Sequence, residues 1–129
     1  MFTGQYQYNI DDKSRLVIPQ EYRSLLGDSF YITKGVDQCI AVYTIEAWNS
    51  RLQNLTSLDY NEQSNRKMLR NFTGYSFKKG FDSQGRVKLE DALIDYRKID
   101  KQCVLVGVND MFEIWSLDTW KKFQDESDE

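Results

Sequence analysis

Polar and apolar side chains alternate along Gln5-Tyr6-Gln7-Tyr8-Asn9-Ile10, the period of two expected of a strand with one buried face. The polar run Asp11 to Ser14 interrupts it, and Arg15-Leu16-Val17-Ile18 resumes the alternation with β-branched residues. This pattern predicts a β-hairpin in which Asp11 and Arg15 flank a short loop. Pro19 ends the ladder and, at the first helical position, opens a helix through Leu26 that Gly27 closes. Phe30 to Thr33 and Cys39 to Tyr43 read as two further strands, joined by a turn around Gly35-Val36-Asp37-Gln38. Thr44 is a candidate N-cap for a helix that places Ile45, Trp48, Leu52 and Leu55 on one face.

The same order then returns. Residues 75–81 and 86–89 predict a second hairpin, 90–97 a short helix, 103–108 and 112–115 two strands, and Leu117 to Gln124 a helix capped by Ser116. Between the two series, 59–71 is polar and basic through Arg66, Lys67 and Arg70, with Met68, Leu69 and Phe72 offering a modest apolar face. That segment predicts a connecting helix. Asp125 to Glu129 predicts a disordered acidic tail.

The repetition is literal in places. Asp11-Asp12-Lys13-Ser14-Arg15-Leu16-Val17-Ile18 returns as Asp82-Ser83-Gln84-Gly85-Arg86-Val87-Lys88-Leu89, 71 positions on. With 13 Asp and 7 Arg in the chain, one Asp-x-x-x-Arg match arises by chance about 0.7 times, so the surrounding alignment carries the inference. Phe2-Thr3-Gly4 aligns with Phe72-Thr73-Gly74, Gly35-Val36-Asp37 with Gly107-Val108-Asn109, Tyr43 with Trp115, and Trp48 with Trp120. Two units cannot make a solenoid, so the expectation is an intramolecular duplication with pseudo-two-fold symmetry. The predicted fold class is α+β: tandem half-units over 1–58 and 72–124, joined by a connecting helix over 59–71 and followed by the tail at 125–129. At 129 residues the chain is large enough for one shared core and small for two.

Composition narrows the function. Net charge is −3, and residues 1–58, 59–80 and 81–129 carry −1, +3 and −5, which excludes a generally basic coat but leaves room for a basic patch. No apolar run approaches the length of a membrane span, and a cytoplasmic protein is expected. Cys39 and Cys103 stand outside any Cys-x-x-Cys pair and read as buried small hydrophobes. The chain contains no histidine, which removes the Ser-His-Asp triad, the Cys-His pair and any His metal site. No Gly-rich phosphate loop is present either, so neither an enzyme, a cofactor, a metal nor a small-molecule substrate is expected.

The duplicated turn is the candidate site, and two roles fit it. Asp11 and Arg15 can brace the loop as an ion pair, with Asp11 also accepting a loop N–H as Asx turns do. Alternatively, the loop presents Arg15 to a DNA groove, where a guanidinium takes guanine O6 and N7 together, while Lys13 neutralises a phosphate. The residues alone leave both open. The copies differ: Lys13 aligns with Gln84 and Pro19 with Glu90, which makes the first loop the better DNA contact. Ser14 aligns with Gly85, a position where a positive φ would favour glycine. Lys78 and Lys79 enter the second loop and either replace Lys13 in part or protect a sheet edge.

The set Met1-Phe2-x-Gly4-x-Tyr6, Asn9-Ile10-Asp11-x-Lys13-x-Arg15-Leu16-x-Ile18-Pro19, Gly27-Asp28-x-Phe30, Asp82-x-x-Gly85-Arg86 and Glu113-Ile114-Trp115-Ser116 with Trp120 resembles the MraZ family. The resemblance covers nearly the whole chain. It implies two fused half-units of the AbrB-like swapped-hairpin DNA-binding fold. It also implies a bacterial regulator of the division and cell wall gene cluster that binds repeated promoter boxes as an octamer-like homo-oligomeric ring, nucleoid-associated in the cytoplasm. By position, the signature Asp and Arg are Asp11 and Arg15, then Asp82 and Arg86, and Lys13 matches the basic residue of the first motif. Arg15, Lys13, Arg86, Lys78 and Lys79 are thus the candidate DNA contacts, and Asp11, Asp82 and Gly85 the candidate loop-structuring residues. Ser14 departs from the usual glycine, and Glu90 from the proline common after the second motif. Two further readings are an AbrB-like antitoxin that sequesters a protein partner, and an assembly protein that binds no DNA.

Overall fold

The computed structural model describes residues 1–127. Among these residues, eight strands and five helices follow, all but one helix in two matching series. The first holds β1 (Gln5–Asn9), β2 (Arg15–Val17), α1 (Gln20–Leu26), β3 (Phe30–Lys34), β4 (Ile40–Thr44) and α2 (Ile45–Thr56). After α3 (Gln63–Gly74), the second holds β5 (Phe77–Lys79), β6 (Arg86–Lys88), α4 (Asp91–Arg97), β7 (Gln102–Gly107), β8 (Met111–Ser116) and α5 (Leu117–Ser127).

Six strands form one antiparallel sheet in the order β1-β7-β8-β4-β3-β5, and β2 pairs with β6 in a separate two-stranded ribbon. Read from either end, the large sheet meets counterpart strands in the same order, so the pseudo-axis lies between β8 and β4 and passes through the ribbon. The two predicted hairpins therefore do not form as such. The turn after β1 closes through Asp11 N–H to Arg15 O at 3.0 Å, but β1 gives its ladder to β7 and β2 gives its own to β6. Likewise β5 pairs with β3, across the halves. The hairpins that do form are β3–β4 and β7–β8.

The exchange has a packing cause. Leu16, Ile18, Val87 and Leu89, each 0% exposed, meet in one cluster with Phe30, Ile32, Phe112 and Ile114 of the large sheet. Pairing across the axis closes that core with side chains from both halves. Burial of each such side chain stabilises by roughly 1.5–3 kcal/mol, so neither half is expected to hold together alone.

Local signals explain the helices. Pro19 is the N-cap residue of α1 rather than its first helical residue, and Gly27 ends the helix at φ 75°. Thr44 caps α2 by accepting from Ala47 N–H at 3.0 Å. Tyr22 on α1 is buried against Phe2, Tyr6 and Phe112, and its hydroxyl donates to Thr3 O at 2.7 Å. Burial pushes that phenol up to about 12. Cys39 and Cys103 are both buried free thiols with raised pKa, desolvation being the main cause.

Two expectations from the sequence do not carry into structure. Phe72-Thr73-Gly74 ends α3, whereas Phe2 bridges to Asn109 and Gly4 takes φ 78°. The predicted acidic tail is helical through Ser127; 128–129 lie outside the described residues. Trp120 and Phe123 pack on Trp115, with ring centroids 5.2 and 5.0 Å apart, and anchor α5. Once nucleated, a helix gains a hydrogen bond for each residue it adds, which carries it past the acidic residues.

Candidate nucleic-acid interface

The ribbon is built by alternation. In its ladder Leu16 lies opposite Val87, Arg15 opposite Lys88, and Val17 opposite Arg86. Leu16 and Val87 point into the core. Successive residues of a strand face opposite ways, so Arg15, Val17, Arg86 and Lys88 share the outer face. Cations directly opposite one another, as Arg15 and Lys88 are, weaken a sheet unless an anion lies nearby. The ladder thus sets cations on its outer face at some cost to its own stability.

Both ends of the ribbon are closed by the same turn. Asp11 Oδ1 accepts from Lys13 N–H and Arg15 N–H, each at 2.9 Å, and its Oδ2 accepts from Arg15 Nε at 2.8 Å. Asp82 repeats this with Gln84 N–H, Arg86 N–H and Arg86 Nε at 2.9, 2.9 and 2.8 Å. The Arg15 and Arg86 backbone donors, first among the causes, hold the two carboxyls below the usual carboxylate range. At the equivalent fourth position Ser14 takes φ 60° and Gly85 φ 73°, so the left-handed conformation belongs to the turn itself. The brace and the display of arginine are one geometry: fixing Nε to the carboxylate sets the direction in which the guanidinium leaves the strand.

The turns also lock one another. Ile18 N–H donates to Gly85 O at 3.1 Å, and Leu89 N–H to Ser14 O at 2.8 Å. Asymmetry enters in the side chains. Arg86 Nη1 lies 3.7 Å from Asp11 Oδ2 in addition to its own Asp82, whereas Arg15 pairs with Asp11. Arg23 of α1 donates from Nη1 to Ile18 O at 2.6 Å and lies against Gly85, where an added Cβ would stand 2.5 Å from that nitrogen.

Lys13, Arg15, Arg86, Asp11, Asp82 and Gly85 therefore converge on the ribbon. Lys78 and Lys79 instead lie on β5, at the edge of the large sheet. Lys78 is exposed, and Lys79 Nζ is held by Glu90 Oε1 at 2.5 Å, so the glutamate at the proline's place has a partner. Sequence reasoning missed Lys88. Its signal was available: Arg86-x-Lys88 are two apart on one strand and must share a face.

A duplicated α+β domain that raises a braced, arginine-bearing β-ribbon from its surface has the form of a DNA-binding transcription regulator. The family model described as "MraZ protein, putative antitoxin-like" matches the chain twice, over residues 1–71 and 76–129. Three relatives named "Transcriptional regulator MraZ" align over nearly all of it. That of Limosilactobacillus fermentum is 42% identical over 97% of this chain and 87% of its own length. That of Ligilactobacillus salivarius is 40% identical over 100% and 90%, and that of Dictyoglomus thermophilum 36% over 98% and 86%. The chain belongs to the MraZ family of transcriptional regulators, which are not enzymes. No helix among the described residues is long and apolar enough to cross a membrane.

Proposed function

We propose that this regulator represses the division and cell wall gene cluster by binding repeated boxes near its promoter, with several copies of the chain assembled in an octamer-like ring. The observation that carries the reading is the outer face of the ribbon, where Arg15, Arg86 and Lys88 stand together on a frame fixed by two Asp braces. A two-stranded ribbon is of a size the DNA major groove admits. Arg15 reads a base edge, Lys13 and Lys88 hold phosphates, and Lys78 lies close enough in sequence to the second turn to add a flanking contact. Arg86, drawn toward two carboxylates, is the weaker reader, and Lys79 contributes once released from Glu90. Asp11, Asp82 and Gly85 hold the loops.

One ribbon neutralises too few phosphates for specific binding, whereas several on one ring act at high effective concentration. Head-to-tail contacts that close generate such a ring, and boxes about one helical turn apart would meet successive ribbons. Occupied boxes exclude the transcription machinery. The protein acts in the cytoplasm, on the nucleoid, as half-units 1–58 and 72–124 joined by 59–71. The family description also supports a second reading, an antitoxin-like role, which requires a stoichiometric small protein to co-purify with the chain.

An electrophoretic shift assay on DNA upstream of the protein's own gene tests the main reading. Arg15→Ala removes a base contact worth about 1–3 kcal/mol per ribbon, so the shift is expected to vanish while the oligomer and Tm persist. Arg86→Ala weakens binding less. Unchanged affinity in Arg15→Ala overturns the assignment, and an equal or larger loss in Arg86→Ala reverses the order of the two loops.

A further inference from the structure

Away from the ribbon, a half-open cavity of about 360 Å³ lies between the β3 end, α2, α3 and the last turn of α4. Three cations line it, Lys34, Arg51 and Arg97, and its lining contains no carboxylate. None of the three has a carboxylate within ion-pair distance among the described residues. In a chain of net charge −3, unpaired cations gathered at one concavity call for an anion.

Two of the cations are held in place. Arg97 donates from Nη2 to Gly35 O at 2.7 Å, yet its Nε is shut off from solvent and has no hydrogen-bond partner. It is the one such side-chain atom among the described residues, so any ligand would meet the guanidinium's outer nitrogens and not Nε. Lys34 Nζ stands 3.5 Å from the centroids of both the Tyr75 and Tyr96 rings, a cation–π clamp that keeps the ammonium at the rim. Leu55 and Phe72, both buried, give the cavity an apolar floor.

The duplication supplies a control. By alignment Lys34 matches Val106, Arg51 matches Phe123 and Arg97 matches Leu26, so none of the three cations is repeated in the other half. Helix α3, which closes one wall, has no counterpart after α5 within the described residues. A fold that needed only packing here would have kept the apolar set it uses in the other half.

We propose that this cavity is a binding site for a small organic anion, a carboxylate or phosphate group carried on a short apolar or aromatic body. The anion lies among Lys34, Arg51 and Arg97, and the body rests on Leu55, Phe72 and Tyr96. Helix α4 runs from just after Lys88 to Arg97, so an occupant holds the far end of the helix that leaves the ribbon.

Calorimetric titration of the full chain with phenyl phosphate tests the site without reference to DNA. Saturable binding is expected at one molecule per chain, with inorganic phosphate about tenfold weaker or more and benzyl alcohol not bound, because both halves of the ligand contribute. Arg51→Gln, on an exposed position of α2, weakens phenyl phosphate about fivefold or more by removing a charge-assisted contact, with Tm unchanged; Lys34→Gln weakens it by a similar factor and lowers Tm slightly, because the clamp between Tyr75 and Tyr96 is lost. Arg97→Gln also loses its bond to Gly35, so the other two variants carry the test. Three results overturn the proposal: equal affinity in Arg51→Gln and the unaltered chain, inorganic phosphate bound as tightly as phenyl phosphate, or binding that appears only when the oligomer dissociates. The last would show that a neighbouring copy fills the cavity.

Discussion

The two turns of the ribbon share a backbone and an Asp–Arg brace and differ in the side chains around them. Their Asp carboxylates accept the same three hydrogen bonds at the same distances, so the brace is a property of the Asp-x-x-x-Arg spacing. Around it, the first turn carries Lys13 and Ser14, and Arg15 pairs with one carboxylate. The second carries Gln84 and Gly85, lies under Arg23, and its Arg86 is drawn toward two carboxylates. The frame was kept while backbone strain fell to the first turn and enclosure under Arg23 to the second. The first turn carries Asp12 and Lys13 where the second has the neutral Ser83 and Gln84, and it is the more strained; the second is relaxed and enclosed.

Backbone strain separates the turns most sharply. Gly85→Ala places a side chain at φ 73° and drives its Cβ toward Arg23. A left-handed non-glycine residue costs about 1–3 kcal/mol, and a fall in Tm of roughly 4–10 °C is expected by calorimetry. Ser14→Gly, made in the other turn, relieves the same strain but adds freedom to the unfolded chain. The relief exceeds that entropic cost of about 0.4–1 kcal/mol, so its Tm is expected to rise by roughly 2–6 °C. A Gly85→Ala variant as stable as the parent would erase the claimed difference between the turns.

Acid acts on both turns together, then divides them. Because hydrogen bonds from the Arg15 and Arg86 backbones depress the Asp11 and Asp82 carboxyls, each contributes stability that is fully present above the unfolded value of about 3.9. That stability is lost as pH falls through the lower folded value. Tm should be flat from neutral pH down to about 5 and fall below about 4. Asp11→Asn should flatten the acid limb more than Asp82→Asn, since Asp11 alone also faces Arg86 across the axis. Equal flattening would mean that the cross-axis contact contributes nothing.

These contrasts mark what the chain discloses on its face. The duplication, the Asp braces, the positive φ at Ser14 and Gly85 and the Thr44 cap were legible because each is a local consequence of residue type. Strand partners were not. Alternation along Gln5 to Ile10 says which face is buried, and nothing in it distinguishes a neighbour ten residues away from Gln102–Gly107. The same limit hid Arg23, whose contact with Gly85 joins opposite halves, and the pairing of Lys79 with Glu90. Lys88 was hidden differently: the hairpin reading directed attention to the loop tip, although the strand after it already placed a lysine beside Arg86.

Charge at the loop tip is the smallest and most direct handle on the comparison. Lys13 is exposed and joins the brace through its backbone N–H to Asp11, so its side chain can change without disturbing the brace. Lys13→Gln makes the first turn resemble the second. Losing one phosphate contact per ribbon lowers affinity about 3- to 10-fold and reduces the slope of log K against log salt by about 0.9 for each ribbon engaged. Gln84→Lys makes the second turn resemble the first and should steepen that slope by a similar amount. If binding in both variants keeps the parent's salt dependence, the tips do not meet the phosphates, and the recognition belongs to the flat face bearing Arg15, Arg86 and Lys88 rather than to its ends.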